Sequence, residues 1–427
     1  MRSHYLPKAL PVTRATTNNG HTVFPIPVQN ANRTAGGISI MIDLVKEELD
    51  EQGVPTGVEE DNKTSIDEER IAEPFDPENI DVSTRSMTVD LLLSRARSGM
   101  IDLQPDFQRR WGIWDRMRQS RLIESLLLKI PLPVLYAAEN ENEGWEIVDG
   151  IQRLSTISRF IEPAIINEPG LVLSSLEYLH AYNDKVFDDL SDKLKMRLKE
   201  TELVVHLIKR GTPVEVKFNI FARINTGGVR LSSQELRHAI VPGIARGLLE
   251  QWSTTPEFLA ATTYSVRSIR MDDRELVLRF IAFKSFGVEQ YKQADMDSFL
   301  VSAMRAINNM PPPVIAEMLR SFKKSMRAAQ NIFGDDAFRK RYDVNNSRLP
   351  INKALFEAVS VSLANLEDDE IRNLQENSQV VRDRFIDLCS HRGFDSAISQ
   401  GTGDIGKVNR RFEMMSSMLK GAVSYDK

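Results

Sequence analysis

The chain has 427 residues, of which 41% are hydrophobic and 27% are charged, and its formal net charge is −5. This length allows two or three compact units, and the composition is that of a globular protein and excludes a fibrous one. No apolar run is long enough to span a bilayer, and the one cysteine, Cys389, excludes an internal disulfide framework or a cysteine-based zinc site. We therefore expect a cytoplasmic protein without a membrane partner.

The charge is unevenly distributed along the chain. Residues 43–81 hold 15 acidic residues against three basic ones, whereas residues 1–42 hold four basic residues and no acidic one. The remainder is nearly neutral, so global charge neither supports nor excludes binding to nucleic acid. We predict that residues 1–74 are a disordered, acidic lead-in, and an arm that mimics DNA or docks on a partner is the alternative.

Helices and strands alternate from about residue 80 to residue 240. Apolar residues at spacings of three and four indicate helices, and short apolar runs bounded by polar turns indicate strands. We predict helices over 88–96 and 116–130, and strands over 134–138, 146–148 and 203–208. The strands predicted over 134–138 and 146–148 flank a polar loop, which predicts a β-hairpin.

The carboxyl-terminal part has a different pattern. Segments such as DRELVLRFIAFKSF and KALFEAVSVSLANL repeat amphipathic helical spacing, which predicts a mostly helical domain over 241–427. The fold class is therefore α+β, with a mixed domain over 75–240 followed by the helical domain.

The most informative segment is WEIVDGIQRLSTISRF, residues 145–160. It predicts a buried strand that passes through a tight turn at Gly150 into a helix, and the amides of a first helical turn attract phosphate. Arg153 would add a planar fork of donors, and Asp149 would add a carboxylate for a metal ion or a water molecule. An ordinary Asp-Gly turn beside a solvated arginine is the plainer interpretation of the motif.

Two other segments concentrate polar groups. In QPDFQRRWGIWD, the pair Gln108 and Arg109 lies between aromatic residues, where buried polar groups would need partners. In FARINTGGVRLSSQELRHA, a glycine turn between two predicted helices suits the binding of an anion or a sugar. The S-x-x-E sequence from Ser232 to Glu235 predicts a capping box that starts the second of these helices.

Taken in this order, the segments resemble a known family. PDFQRRW, SRLIESLLLKIPLPVLY, WEIVDGIQRLSTISRF and FARINTGGVRLSSQELRHA look like the S half of the GmrSD modification-dependent restriction enzymes. That domain is related in fold to ParB and sulfiredoxin, and the resemblance covers roughly residues 75–239. It implies a ParB/sulfiredoxin-like domain that binds and hydrolyses a nucleoside triphosphate in bacterial defence against foreign or modified DNA.

The resemblance also implies roles for individual residues. Asp149, Gly150, Gln152 and Arg153 match the DGQQR signature expected at the nucleotide phosphates, and Ile151 replaces its first glutamine. The implied catalytic residues are the acid, the glutamine and the arginine of this signature, with the acid as ligand of a divalent cation, magnesium. The implied nucleotide-binding residues are Gln108, Arg109, Gly150, Arg223, Asn225, Thr226 and Gly227.

The nuclease of such systems is expected on another chain. His238 and His391 do not lie in the sequence context of a His-Asn-His nuclease, so we predict a separately encoded effector protein as partner. The ligands implied are a nucleotide and, as a further possibility, DNA, and self-association is left open. The alternative function is a non-hydrolysing, ParB-like sensor or scaffold that binds DNA or nucleotide.

The segment GTGDIGKV, residues 401–408, resembles a phosphate-binding loop but is not predicted to act as one. Val408 stands where the magnesium-binding hydroxyl should be, and the preceding residues have helical character, whereas that loop follows a strand. We predict a loop that precedes the terminal helix.

Overall fold

A computed structural model describes most of the chain. The described residues are 45–50, 53–60, 81–103, 114–140, 142–213, 216–218, 220–221, 232–345 and 347–423. Within these ranges, no helix combines the length and the apolar character needed to cross a membrane.

The described strands form two sheets. The strands are β1 (Glu47–Leu49), β2 (Pro55–Glu59), β3 (Val82–Thr88), β4 (Leu135–Glu139), β5 (Trp145–Asp149) and β6 (Glu202–Ile208). The first two strands pair with each other, and the other four form a mixed sheet in the order β3-β6-β4-β5. In the mixed sheet β4 runs parallel to β6, and the remaining neighbours are antiparallel.

Alternating side chains give the mixed sheet an inner and an outer face. In β6, Leu203, Val205 and Leu207 are buried in the core, whereas Val204 is 38% exposed on the opposite face. Successive side chains of a strand point to opposite faces, so one face of β6 contacts the core and the other does not. The predicted strand at 203–208 and the predicted hairpin, now β4 and β5, are confirmed.

Four helices pack around the inner face. They are α1 (Val89–Arg97), α2 (Arg116–Leu127), α3 (Ile151–Ile161) and α4 (Asp192–Glu200), with 3-10 turns at Pro163–Ile166, His180–Tyr182 and Phe187–Asp189. Thr88 caps α1 by accepting from Leu91 N at 3.3 Å, and Asp115 caps α2 by accepting from Arg118 N at 2.7 Å. The helix predicted over 116–130 ends at Leu127, and Lys129, two residues before Pro131, adopts a positive φ of 60° that is incompatible with a right-handed helix.

The carboxyl-terminal part is helical, as predicted. Its helices are α5 (Ser233–Ile240), α6 (Ile244–Ser253), α7 (Pro256–Ala261), α8 (Asp272–Phe286), α9 (Met296–Asn308), α10 (Pro312–Phe333), α11 (Lys353–Ala364), α12 (Asp368–Glu376), α13 (Ser378–Ser390), α14 (Arg392–Ser399) and α15 (Ile405–Val423). Shorter 3-10 turns lie at Ser268–Arg270, Val288–Gln290 and Gly334–Asp336. An aromatic cluster holds the helices together, with the rings of Phe280 and Phe322 5.0 Å apart. The boundary between the two domains at residues 240 and 241 stays a prediction, and α5 ends at Ile240.

A chain of buried ion pairs connects the helices. Arg237 of α5 donates to Glu275 of α8 at 2.9 Å, and Arg279 of α8 donates to Glu357 of α11 at 3.0 Å. Glu357 also accepts from Arg411 of α15, at 2.8 Å from Nε. These groups are buried, so each charge depends on its partners for the solvation that it has lost. Because α5 also packs against β5, the network links the mixed sheet to the last helix.

The acidic lead-in is partly ordered, which differs from the prediction. Strands β1 and β2 form a hairpin that packs on the helical part, where Glu59 binds Lys340 Nζ at 2.5 Å and Asn352 Nδ2 at 3.0 Å. At Gly57, where φ is 88°, a β-carbon would overlap the carbonyl oxygen of Ser265. Charge counting missed this hairpin because the cation that pairs with Glu59 lies 281 residues away. The rest of residues 1–74 lies outside the described ranges.

The hairpin also predicts a pH dependence. Glu48 Oε2 lies 3.7 Å from Lys353 Nζ, and burial raises the Glu48 pKa from its ordinary 4.5 to about 7, against the opposing charge of Lys353. Asp272 and Glu275 also raise this pKa, and Arg270 lowers it. Because the folded state holds this proton more tightly, the stability it contributes is complete below pH 4.5 and is lost as the pH rises through about 7.

We therefore expect Glu48→Gln to match the wild type near pH 4.5 and to be more stable at pH 8. The gain is at most about 3 kcal/mol, from about 1.4 kcal/mol for each pKa unit. Denaturant unfolding at both pH values measures it, and Glu376→Gln, at an exposed position of α12, is the control. Parallel stability profiles for Glu48→Gln and the wild type would contradict this assignment.

Candidate functional site at the junction of β5 and α3

The predicted strand, turn and helix around Gly150 are present. β5 ends at Asp149, Gly150 adopts the left-handed conformation with φ 95° and ψ 9°, and α3 starts at Ile151. A β-carbon on Gly150 would overlap Leu135 Cδ2 and lie 2.9 Å from Arg153 Nη2. Both the backbone angle and the available space therefore require glycine at this turn.

The start of α3 is suited to an anion. The N-cap residue is Gly150, which has no side chain to accept hydrogen bonds from the amides of the first turn. The early amides of a helix point along its axis, and the helix dipole adds partial positive charge there. A phosphate group placed at this end would satisfy both the amides and the dipole.

Arg153 is turned towards the protein, where it organises the turn. Its Nη1 donates to Pro133 O, and its Nη2 donates to Val134 O at 3.2 Å and to Asp149 Oδ2 at 2.7 Å. The arginine side chain is 10% exposed, and the Asp149 side chain is 31% exposed. Burial lowers the pKa of the Arg153 guanidinium, and the nearby Asp149 partly offsets this shift. The sequence analysis placed this guanidinium at the phosphates, whereas here it fixes Asp149 and the loop before β4.

Gln152 lies on the first turn of α3 and is half-buried. Its backbone carbonyl oxygen accepts from Thr156 Oγ1 at 2.7 Å, an ordinary contact within the helix. The four residues of the DGQQR-like signature lie close together, because Asp149 and Gly150 form the turn and Gln152 and Arg153 lie in the first turn of α3.

The other predicted site residues lie outside the described residues. They are Gln108, Arg109, Arg223, Asn225, Thr226 and Gly227. The residues that border both stretches are described. Ser155 Oγ of α3 donates to the carbonyl oxygen of Leu103 at 3.3 Å, so Leu103 lies beside the candidate helix.

The second stretch ends at Ser232, where α5 begins. Ser232 and Glu235 form the predicted capping box, with the serine amide donating to Glu235 Oε2 at 2.6 Å. Ser232 Oγ also donates to the carbonyl oxygen of Arg270 at 2.7 Å. α5 packs against β5, the strand that leads into the turn.

Sequence analysis missed a polar row on the outer face of the sheet. Cross-strand pairing places Thr84 opposite His206, His206 beside Tyr136, and Tyr136 opposite Asp149. The alternating pattern of β6 indicates that His206 faces away from the core. The other members depend on strand register, which a single sequence does not reveal.

A cleft of about 690 Å³ opens at the end of the sheet where β4 and β6 begin. It is bordered by the loop from Lys129 to Leu132, by α4 and by the start of β6. Lys129, Lys193 and Arg197 contribute cations, and Glu200 and Glu202 contribute acids, so the lining has no dominant charge. The loop continues into the two carbonyl groups that Arg153 holds, which couples the cleft to the Gly150 turn.

The segment GTGDIGKV is the predicted loop before the terminal helix. Asp404 Oδ1 accepts from the amide of Lys407 at 3.0 Å, and Lys407 Nζ donates to Gln400 O at 2.5 Å. Val408 is fully buried. The loop therefore serves as a helix cap, in agreement with the prediction.

Comparison with protein families supports the resemblance. Residues 89–242 match the family described as GmrSD restriction endonuclease, N-terminal domain. The matched range includes β4, β5, β6, α3 and the whole Gly150 turn. No curated protein and no solved structure gives a match. Residues 89–242 are therefore similar to the N-terminal domain of GmrSD restriction endonucleases.

Proposed function

We propose that this chain binds a nucleoside triphosphate at the Gly150 turn and hydrolyses it, as the nucleotide-dependent component of a bacterial restriction system. The observation that supports this most is a glycine that the turn requires, at the uncapped start of α3, inside the GmrSD-type domain. The hydrolysis would control an effector protein encoded separately, because proteins of this kind use nucleotide turnover to switch a partner.

In this proposal each residue of the turn has a distinct role. The amides of the first turn of α3 and the Gln152 side chain bind phosphate oxygens, and Asp149 orients the attacking water. Arg153 is a positioning residue, since it holds Asp149 and the carbonyl groups of Pro133 and Val134. The contributions of Gln108, Arg109, Arg223, Asn225, Thr226 and Gly227 to phosphate binding rest on the family resemblance.

The turn also fits a magnesium ion that arrives with the nucleotide. Magnesium in such sites is held by one or two carboxylates together with phosphate oxygens and water. Asp149 offers a partly exposed carboxylate, with one oxygen bound to Arg153. Among the described residues, no group of three His, Cys, Asp or Glu side chains could hold a metal without help from a ligand. Bound magnesium would neutralise the phosphate charge.

One observation favours the alternative of a sensor without turnover. Phosphoryl transfer relies on cations that stabilise charge as it develops, and Arg153 is already engaged with three protein oxygens. Without a cation from elsewhere, the turn would bind the nucleotide phosphates but would not hydrolyse the nucleotide. The chain would then act as a ParB-like sensor or scaffold that binds nucleotide or DNA.

The test compares the wild type with Arg153→Ala in nucleotide binding and phosphate release, with magnesium, with and without DNA. Losing the guanidinium removes three buried hydrogen bonds around the turn, each worth about 1.5–3 kcal/mol for a charged group, so we expect at least a tenfold loss of affinity and of rate. Arg97→Ala is the matched control, because Arg97 lies at the end of α1 and its side chain, paired with Glu162, is 55% exposed.

Each outcome separates the two functions. Binding and phosphate release that both fall in Arg153→Ala but not in Arg97→Ala support the hydrolase. Tight binding that persists in the wild type without phosphate release supports the sensor. Equal background release from every nucleotide by the wild type and Arg153→Ala, with no binding by either, would overturn the proposal.

A further inference from the structure

The outer face of the mixed sheet is closed at one end and open at the other. At the closed end Ala138 is 4% exposed and Ile208 is 1% exposed, although both lie on the face opposite the core of α1 to α4. At the open end Ser86 and Val204 are exposed. The polar row of Thr84, His206 and Tyr136 lies on this face between the buried and the exposed end.

The row presents two rings in a fixed arrangement. Thr84 Oγ1 and His206 Nδ1 are hydrogen-bonded at 2.9 Å, which sets the orientation of the imidazole. The rings of His206 and Tyr136 have centroids 5.1 Å apart, at an interplanar angle of 42°. Both side chains are half-buried, so their edges are supported and part of their surface reaches solvent.

The row leads directly to the candidate phosphate turn. Tyr136 is the register partner of Asp149, the last residue before Gly150. The pairing of β4 and β5 has an irregularity between Tyr136 and Ala137, and neighbouring strands lie about 4.8 Å apart. A ligand held at the start of α3 is therefore one strand away from the aromatic pair.

We propose that Tyr136 and His206 form the base-stacking platform of the nucleotide whose phosphates bind at the Gly150 turn. This inference rests on the proposed function and adds the subsite for the base. Flat aromatic groups held on a sheet are suited to stacking against a nucleobase, and such stacking tolerates different bases because each has a π face. The hydrogen bond between Thr84 Oγ1 and His206 Nδ1 holds the imidazole ring whose face would stack on the base.

The same pair has a plainer explanation as a cross-strand contact that stabilises the sheet. That explanation predicts an effect on unfolding and none that distinguishes one ligand from another. The base platform predicts a loss confined to ligands that carry a base. The two are separated by measuring binding of nucleoside triphosphates and of inorganic triphosphate, which has phosphates and no base.

The experiment is calorimetric titration of ATP, GTP, CTP, UTP and inorganic triphosphate, each with magnesium, into the wild type and Tyr136→Leu. We expect the variant to lose about tenfold in affinity for the best-bound nucleotide, the range expected for loss of one stacking partner, with no change for inorganic triphosphate. Tyr178→Leu is the matched control, because this tyrosine is 68% exposed in a loop of the same domain.

His206→Gln is the second variant, because glutamine keeps a partner for Thr84 and removes the ring. It should show the same selective loss with an unchanged melting temperature, and it decides the matter if Tyr136→Leu fails to fold. If both variants bind nucleotide and inorganic triphosphate as the wild type does, or lose both equally, the platform is overturned and the phosphate site stands. If the wild type binds neither ligand, the proposed function fails and the platform fails with it.

Discussion

Glu357→Gln is expected to destabilise the helical part of the protein by about 3–5 kcal/mol, the range for breaking a buried ion pair from one side. The Glu357 carboxylate is fully buried and accepts from Arg279 at 3.0 Å and from Arg411 Nε at 2.8 Å. Glutamine has the same size but no charge, so the buried positive charges of Arg279 and Arg411 would lose the carboxylate that offsets their desolvation. Thermal unfolding followed by circular dichroism measures the effect.

The control for this prediction is Glu317→Gln, which removes a carboxylate that pairs with Arg320 at the surface. That carboxylate is 69% exposed, and exposed pairs contribute little, so its melting temperature should stay that of the wild type. The network interpretation would be wrong if the two variants melted together. Since the network reaches α5 and α5 packs on β5, nucleotide affinity is a second quantity to measure in Glu357→Gln.

Gly150→Ala is expected to abolish nucleotide binding with a smaller effect on stability. Alanine would have to adopt a φ of 95°, which costs about 1–3 kcal/mol, and its β-carbon would overlap Leu135 Cδ2. Relief of that overlap moves Gly150 away from β4 and changes the direction of the first turn of α3. Binding that depends on amide geometry is sensitive to such a shift.

Gly99→Ala separates the two causes. Gly99 also has a positive φ, 74°, but a β-carbon there would meet nothing within 4 Å. Its loss of stability reports backbone strain alone, and the additional loss in Gly150→Ala reports the overlap. Titration with magnesium nucleotide completes the test: wild-type affinity in Gly150→Ala would show that the turn is an ordinary connection and would remove it as the phosphate site.

Local sequence patterns predicted several of the elements and the turn, but not β1, β2, β3 or α4. A short apolar run located β6, the spacing of apolar residues located α1 and α2, and S-x-x-E located the start of α5. The Asp-Gly step between an apolar run and an amphipathic helix located the candidate site. These features depend on residues within a few positions of one another, so a single sequence contains them.

Long-range partners were not accessible in the same way. The inward orientation of Arg153 depends on two carbonyl groups about 20 residues earlier, and the order of Glu59 depends on a lysine 281 residues later. The row of Thr84, His206 and Tyr136 exists because three strands from distant segments pair in one register.

The sequence therefore specified which groups the protein has for binding phosphate, and the packing of the chain determined which way those groups face. Orientation follows from register, burial and the competition among acceptors for each donor, and these are properties of contacts between distant segments. For this protein the difference matters most at Arg153, whose pattern indicates a ligand contact and whose surroundings make it the support of the turn.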